Sequence, residues 1–89
     1  MASRQPISNM NKSDDYGILQ RVVDKLYERE VIVARKDVIV MAQTYDVPLD
    51  LTEIVELLPP GEYDRAGLCV QLNSSIAGHA WGQVYGTVE

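Results

Sequence analysis

Cys69 is the one thiol of the chain and His79 its one imidazole. A thiolate with an imidazole beside it to take its proton is a nucleophile and base. Nothing in the sequence supplies the orienting third group or the oxyanion pocket that such chemistry needs. The plainer reading makes Cys69 a small buried hydrophobe on a helix face and His79 a loop residue. A zinc site takes about four ligands at close spacing, which one Cys and one His do not furnish. Four carboxylates, Asp46, Asp50, Glu53 and Glu56, fall close together. They lack the Asp-x-Asp-x-Asp-Gly spacing of a calcium loop, so they read as a solvated helix face, available at most as a partner surface. The residues thus point to no catalytic group, no cofactor and no metal.

Cations and aromatics offer binding instead. Arg21, Lys25 and Arg29 recur every fourth residue and Arg35-Lys36 follows, a stripe that suits phosphate or an acidic partner and suits plain solvation equally well. Trp81 and Tyr85 stand in a glycine-rich terminal stretch. They either cover the domain's own core or anchor a partner, and the reading favoured here packs Trp81 on the helices and leaves Tyr85 at an exposed edge. Asp46, Asp50, Glu53, Glu56, Trp81 and Tyr85 are therefore the candidate partner contacts.

The elements that must position these residues follow from periodicity. Ser13 or Asp14 can cap a first helix over about 14–29, whose apolar positions Ile18, Leu19, Val22, Val23 and Leu26 share one face. Val31 to Ala34 suits a short strand. Val38 to Ala42 reads two ways, as the second arm of a hairpin or as a helix opened by Asp37 with Met41 and Ala42 inward; the helix over 37–45 is preferred. Asp50, with Glu53 three residues on, resembles a capping box for a helix bearing Leu51, Ile54, Val55 and Leu58, which Pro59-Pro60-Gly61 ends. Asp64 can cap a last helix carrying Leu68, Cys69, Leu72 and Ile76. Residues 78–88 alternate glycine with aromatic and β-branched residues and read as an extended tail or terminal strand.

Eighty-nine residues make one domain. The expected organisation is a flexible tail over 1–12, a helical domain over 13–77 and a Gly/aromatic tail over 78–89. The expected fold is mainly α, a small bundle of three to four short helices with room for a short strand and an extended C-terminal tail.

Charge is unevenly placed. Residues 37–64 hold seven Asp/Glu and no Lys or Arg, and the chain as a whole carries a formal net charge of −5. Such acidity speaks against direct DNA binding, which needs cations for the phosphates. The outline of a helix-turn-helix over 37–58 fails for the same reason, since its second helix is acidic. No apolar run is long enough to span a membrane. A single cysteine and a polar start without an apolar leader segment suit the cytoplasm.

Arg35-Lys36-Asp37, Ala42, Pro48, Leu57-Leu58-Pro59, Glu62-Tyr63-Asp64 and Leu72 resemble a family of short bacterial proteins catalogued only as a domain of unknown function. The resemblance spans about residues 31–76. This chain has Arg65-Ala66 where the family usually has Ser-Pro, and it adds a longer first helix and the aromatic tail. The resemblance implies a helix at 37–45 and carries no activity and no catalytic residues. The function expected from all this is a non-enzymatic protein–protein interaction module, an adaptor, regulatory or accessory subunit, with self-association left open. The rival is an acidic inhibitor that mimics nucleic acid in a basic groove of its target.

Overall fold

The computed structural model describes residues 12–89. The expected flexible tail, 1–12, lies outside them except for Lys12. The first helix, α1, covers Ile18–Leu26 and buries Ile18, Leu19, Val22, Val23 and Leu26 as one stripe. It is shorter at both ends than 14–29. Gly17 precedes it with φ +86°, a left-handed kink that only glycine enters without strain. This kink separates Ser13 and Asp14 from the helix, so neither caps it; the Ser13 hydroxyl accepts the Asp15 N–H instead, at 3.0 Å.

After α1 come β1 (Ile32–Ala34), α2 (Arg35–Thr44), α3 (Leu49–Glu56), β2 (Glu62–Asp64), α4 (Arg65–Gly78) and a single turn, α5 (Gly82–Tyr85). The architecture is mainly α, as expected. The strand at 31–34 is present, but its partner lies elsewhere: β1 pairs antiparallel with β2, Val33 opposite Tyr63, and Val38 to Ala42 belongs to a helix. Each strand runs straight into a helix, β1 into α2 and β2 into α4.

The local signals act at positions slightly different from those expected. Asp37 sits within the first turn of α2, where its carboxylate accepts the Ala34 N–H at 2.9 Å; there it also faces the positive end of the helix. Asp50 does not cap α3. Pro48 holds the cap position, its carbonyl accepting the N–H groups of Leu51 and Thr52 at 2.9 and 3.0 Å. Asp64 does cap α4, taking the Gly67 N–H at 2.7 Å. A Cβ on Gly67 would come within 2.9 Å of that carboxylate, so the glycine that weakens the helix also leaves room for its cap.

Two helices end alike. Past α2, Val47 N–H bonds to Ala42 carbonyl and Asp46 N–H to Gln43 carbonyl, with Asp46 at φ +53°. Past α4, Trp81 N–H bonds to Ile76 carbonyl and Ala80 N–H to Ala77 carbonyl, with Ala80 at φ +58°. Both are Schellman turns, whose left-handed residue is usually glycine. Alanine there costs roughly 1–2 kcal/mol.

α1 packs on α2, α2 on α3, and α4 on α3, β2 and α5. Between them lies one apolar core in which Val38, Leu51, Leu68, Leu72 and Ile76 are fully buried. Among the described residues no charged side chain is buried. Arg35, expected on the surface stripe, instead reaches across to α3, its Nε donating to Leu58 carbonyl and its Nη2 to Glu56 carbonyl, each at 2.7 Å. Those are the carbonyls left unpaired at a helix C-terminus, where a cation is favoured.

The terminal segment departs furthest from expectation. Residues 82–85 form a helical turn and 86–89 lie outside regular secondary structure. Tyr85 and Val88 are buried, at 8% and 4% exposure, and Trp81 stacks edge-on to Tyr85 with ring centres 5.6 Å apart. Burial of Tyr85 and Val88 offsets the poor helix propensity of the glycines. Side chains then clamp the backbone of the last residues. Asn73 both donates to Val88 carbonyl and accepts its N–H, each at 2.8 Å. Gln20 does the same for Glu89, each at 2.8 Å. Arg65 donates to the same Glu89 oxygen through Nη2 at 2.8 Å and pairs with Asp24. Gly86, at φ +86°, lies where a Cβ would meet the Tyr16 ring at 3.3 Å.

Candidate functional site

Aliphatic side chains at and just before β1 and on α2 remain in solvent although the core is complete. Val31 is 79% exposed, Ile32 48% and Val40 57%. Ile32 and Val40 border a groove of about 830 Å³ between the end of α1, β1 and the outer face of α2. Leu26, Val33 and Met41 line its apolar wall, and Lys25, Arg29 and Lys36 stand along it. Lys25 is paired with Glu28 at 3.0 Å. Arg29 and Lys36 make no ion pair among the described residues.

The edge of β1 adds main-chain groups to this apolar surface. Arg35 N–H bonds to Gly61 carbonyl at 3.1 Å, in register with the Val33–Tyr63 pair. Alternate residues of an antiparallel ladder face the partner strand. Val33 thus bonds toward β2, and the N–H and carbonyl of Ile32 point to the open edge. Polar main-chain groups beside exposed aliphatics make a template for another strand.

The residues singled out from sequence are placed differently. Cys69 is buried on α4, and burial pushes its thiol up, away from the reactive thiolate. His79 ends the same helix, exposed, its Nδ1 2.9 Å from Ser75 carbonyl. Ten residues of helix hold the two about 15 Å apart along its axis. Among the described residues no three His, Cys, Asp or Glu side chains converge as metal ligands, and no helix is long and apolar enough to cross a membrane.

Glu53 and Glu56 are exposed on α3 and Asp46 is exposed at the turn before it. Asp50 is half-buried and accepts the Tyr85 hydroxyl at 3.0 Å. The expectation of Tyr85 at an exposed edge is thereby corrected: its ring is inside, and its hydroxyl spends its proton on Asp50. Trp81 packs against the core as expected, partly buried. The basic stripe shrinks to Arg21 and Lys25, because α1 ends at Leu26 and Arg29 lies in the turn beyond.

Sequence reasoning missed the groove. Its signal was there: Val31-Ile32-Val33 is apolar at every position, whereas a strand with one face on the core needs apolar residues only at alternate ones.

Beside the groove, Tyr27 ties α1 to the sheet, its hydroxyl donating to Tyr63 carbonyl at 2.8 Å. Burial, reinforced by the charge of Asp64, pushes this phenol up to about 12 from an ordinary 10. The neutral form is the one the fold favours, so its contribution is whole below pH 10 and lost as pH rises toward 12. The urea midpoint is expected to hold steady at neutral pH and fall over that alkaline window. In Tyr27→Phe the fall should be shallower; an identical slope would show that another group governs it.

No family model matches this chain, and comparison with curated proteins and with solved structures gave no match.

Proposed function

We propose that this chain is a small non-enzymatic protein–protein interaction module of the cytoplasm, an adaptor or accessory subunit that takes an extended segment of a partner protein along the edge of β1. The observation that supports it is the groove: Ile32 and Val40 lie half in water beside an unpaired strand edge. An added strand would satisfy the Ile32 main-chain groups while its alternate side chains cover the aliphatics. The resemblance to the bacterial family of unknown function is consistent with such a role and names no activity.

Ile32→Glu and Val40→Glu place charge on this surface without touching the core. Captures from the native cell with the wild-type chain as bait should give partners that both variants lose at least about tenfold, a difference above 1.4 kcal/mol. Partners retained in full by both variants would sink the reading.

A second reading keeps the acidic face. Asp46, Glu53 and Glu56 have no cation in ion-pair distance among the described residues, so their charge is available to a basic groove on a target, in the manner of a nucleic-acid mimic. Such binding would fall steeply with salt and would ignore Ile32→Glu, whereas strand addition would be nearly salt-independent.

A further inference from the structure

We infer that the cleft holding residues 82–89 accepts the same segment from a second copy of the chain, so that two molecules exchange residues 82–89. The segment is held almost wholly from outside itself. Asn73, Gln20 and Arg65 grip the backbone of Val88 and Glu89. Ser13 N–H reaches Val84 carbonyl and Gly17 N–H reaches Tyr85 carbonyl, each at 3.0 Å. Tyr85 bonds to Asp50 and Val88 fills an apolar site. Every one of these contacts can re-form when the segment comes from another molecule. Exchange therefore alters only the hinge.

That hinge is short and strained. Residues 79–81 alone join α4 to α5, and Ala80 is held at φ +58° by the Schellman turn. An opened hinge lets Ala80 return to an ordinary φ, and short hinge loops under strain favour exchange between copies. Each copy both gives and receives a segment, so the assembly closes as a two-fold dimer. A tethered segment competes with its counterpart at an effective concentration on the order of millimolar, which sets the protein concentration at which exchange shows.

The test is refolding of the full chain at millimolar concentration, followed by light scattering on the size-separated species. The wild type should give a dimer fraction. Ala80→Gly removes the strain of the closed hinge and should lower the dimerisation constant about tenfold, while Ala80→Pro, which cannot hold positive φ, should raise it at least as much. A chain with Cys69→Ala, Asp24→Cys and Glu89→Cys, joined by a short bifunctional thiol reagent, tells exchange from surface contact. An exchanged dimer becomes two chains covalently linked; a surface dimer yields singly closed chains. Linked chains with the stated order of variants support exchange. Monomers throughout overturn it, and so do dimers whose cross-links stay within one chain. If Ala80→Pro does not fold, wild type against Ala80→Gly decides in the same way.

Discussion

Leu58→Ala is expected to cost about 2–5 kcal/mol of stability, whereas Leu57→Ala next to it should stay within about 0.5 kcal/mol. The two leucines follow α3 in sequence and share their chemistry. They differ in where the chain points them: Leu58 is 4% exposed, inside the common core, and Leu57 is 54% exposed. Arg35 fixes that orientation by gripping the carbonyls of Glu56 and Leu58. Truncating Leu58 removes apolar contacts and leaves a space that the rigid Pro59-Pro60 segment cannot collapse to fill. Domains of this size are stable by only about 5–15 kcal/mol, so the loss is a large fraction of the whole. With about 4–8 °C of melting temperature per kcal/mol, Leu58→Ala should melt at least about 8 °C lower. Equal urea midpoints for the two variants would show that Leu58 is not part of the core.

What was legible in the sequence was mostly local. The stripe from Ile18 to Leu26, the helix over 37–45, the Asp64 cap and the inward set Leu68, Cys69, Leu72 and Ile76 all depend on residues within a turn or two of one another. The helix of 37–45 needed more than periodicity, because its β-branched run suits a strand equally. What was not legible was either non-local or against propensity. The partner of β1 is Glu62–Asp64, thirty residues away in register and without a β-branched residue. The left-handed ends at Asp46 and Ala80 carry no glycine to announce them, and the nearby Gly78 lies within α4. Cap positions shift by a residue or two because any polar group of the first turn can reach an unpaired N–H, as Asp37 does from inside α2. The groove escaped because hydrophobic residues were assigned to the core by type, while Val31, Ile32 and Val40 are left over once Val33, Val38 and Ala42 have filled it.

Removing residues 80–89 is expected to lower stability by about 2–4 kcal/mol and the melting temperature by about 8 °C or more. Alternating glycine and aromatic residues in water would resist order, since fixing each residue costs about 1–2 kcal/mol. The segment is ordered nonetheless, so its contacts outweigh that cost. Burying a side chain the size of Tyr85 or Val88 contributes about 1.5–3 kcal/mol, and the amides of Asn73 and Gln20 satisfy backbone groups that would otherwise compete for water. Truncation also uncovers the start of α1, which the segment covers through Ser13 and Gly17. Tyr85→Phe separates the ring from the hydroxyl. It keeps the packing and leaves Asp50, itself only half-buried, to water, so it should cost no more than about 1 kcal/mol. A truncated chain that melts with the wild type would mean that the segment contributes nothing to the fold and that Trp81 and Tyr85 are held in place for a partner. A truncated chain that melts far lower and still binds its partner through Ile32 and Val40 would show the segment to be a latch on the core, separate from the surface that does the binding.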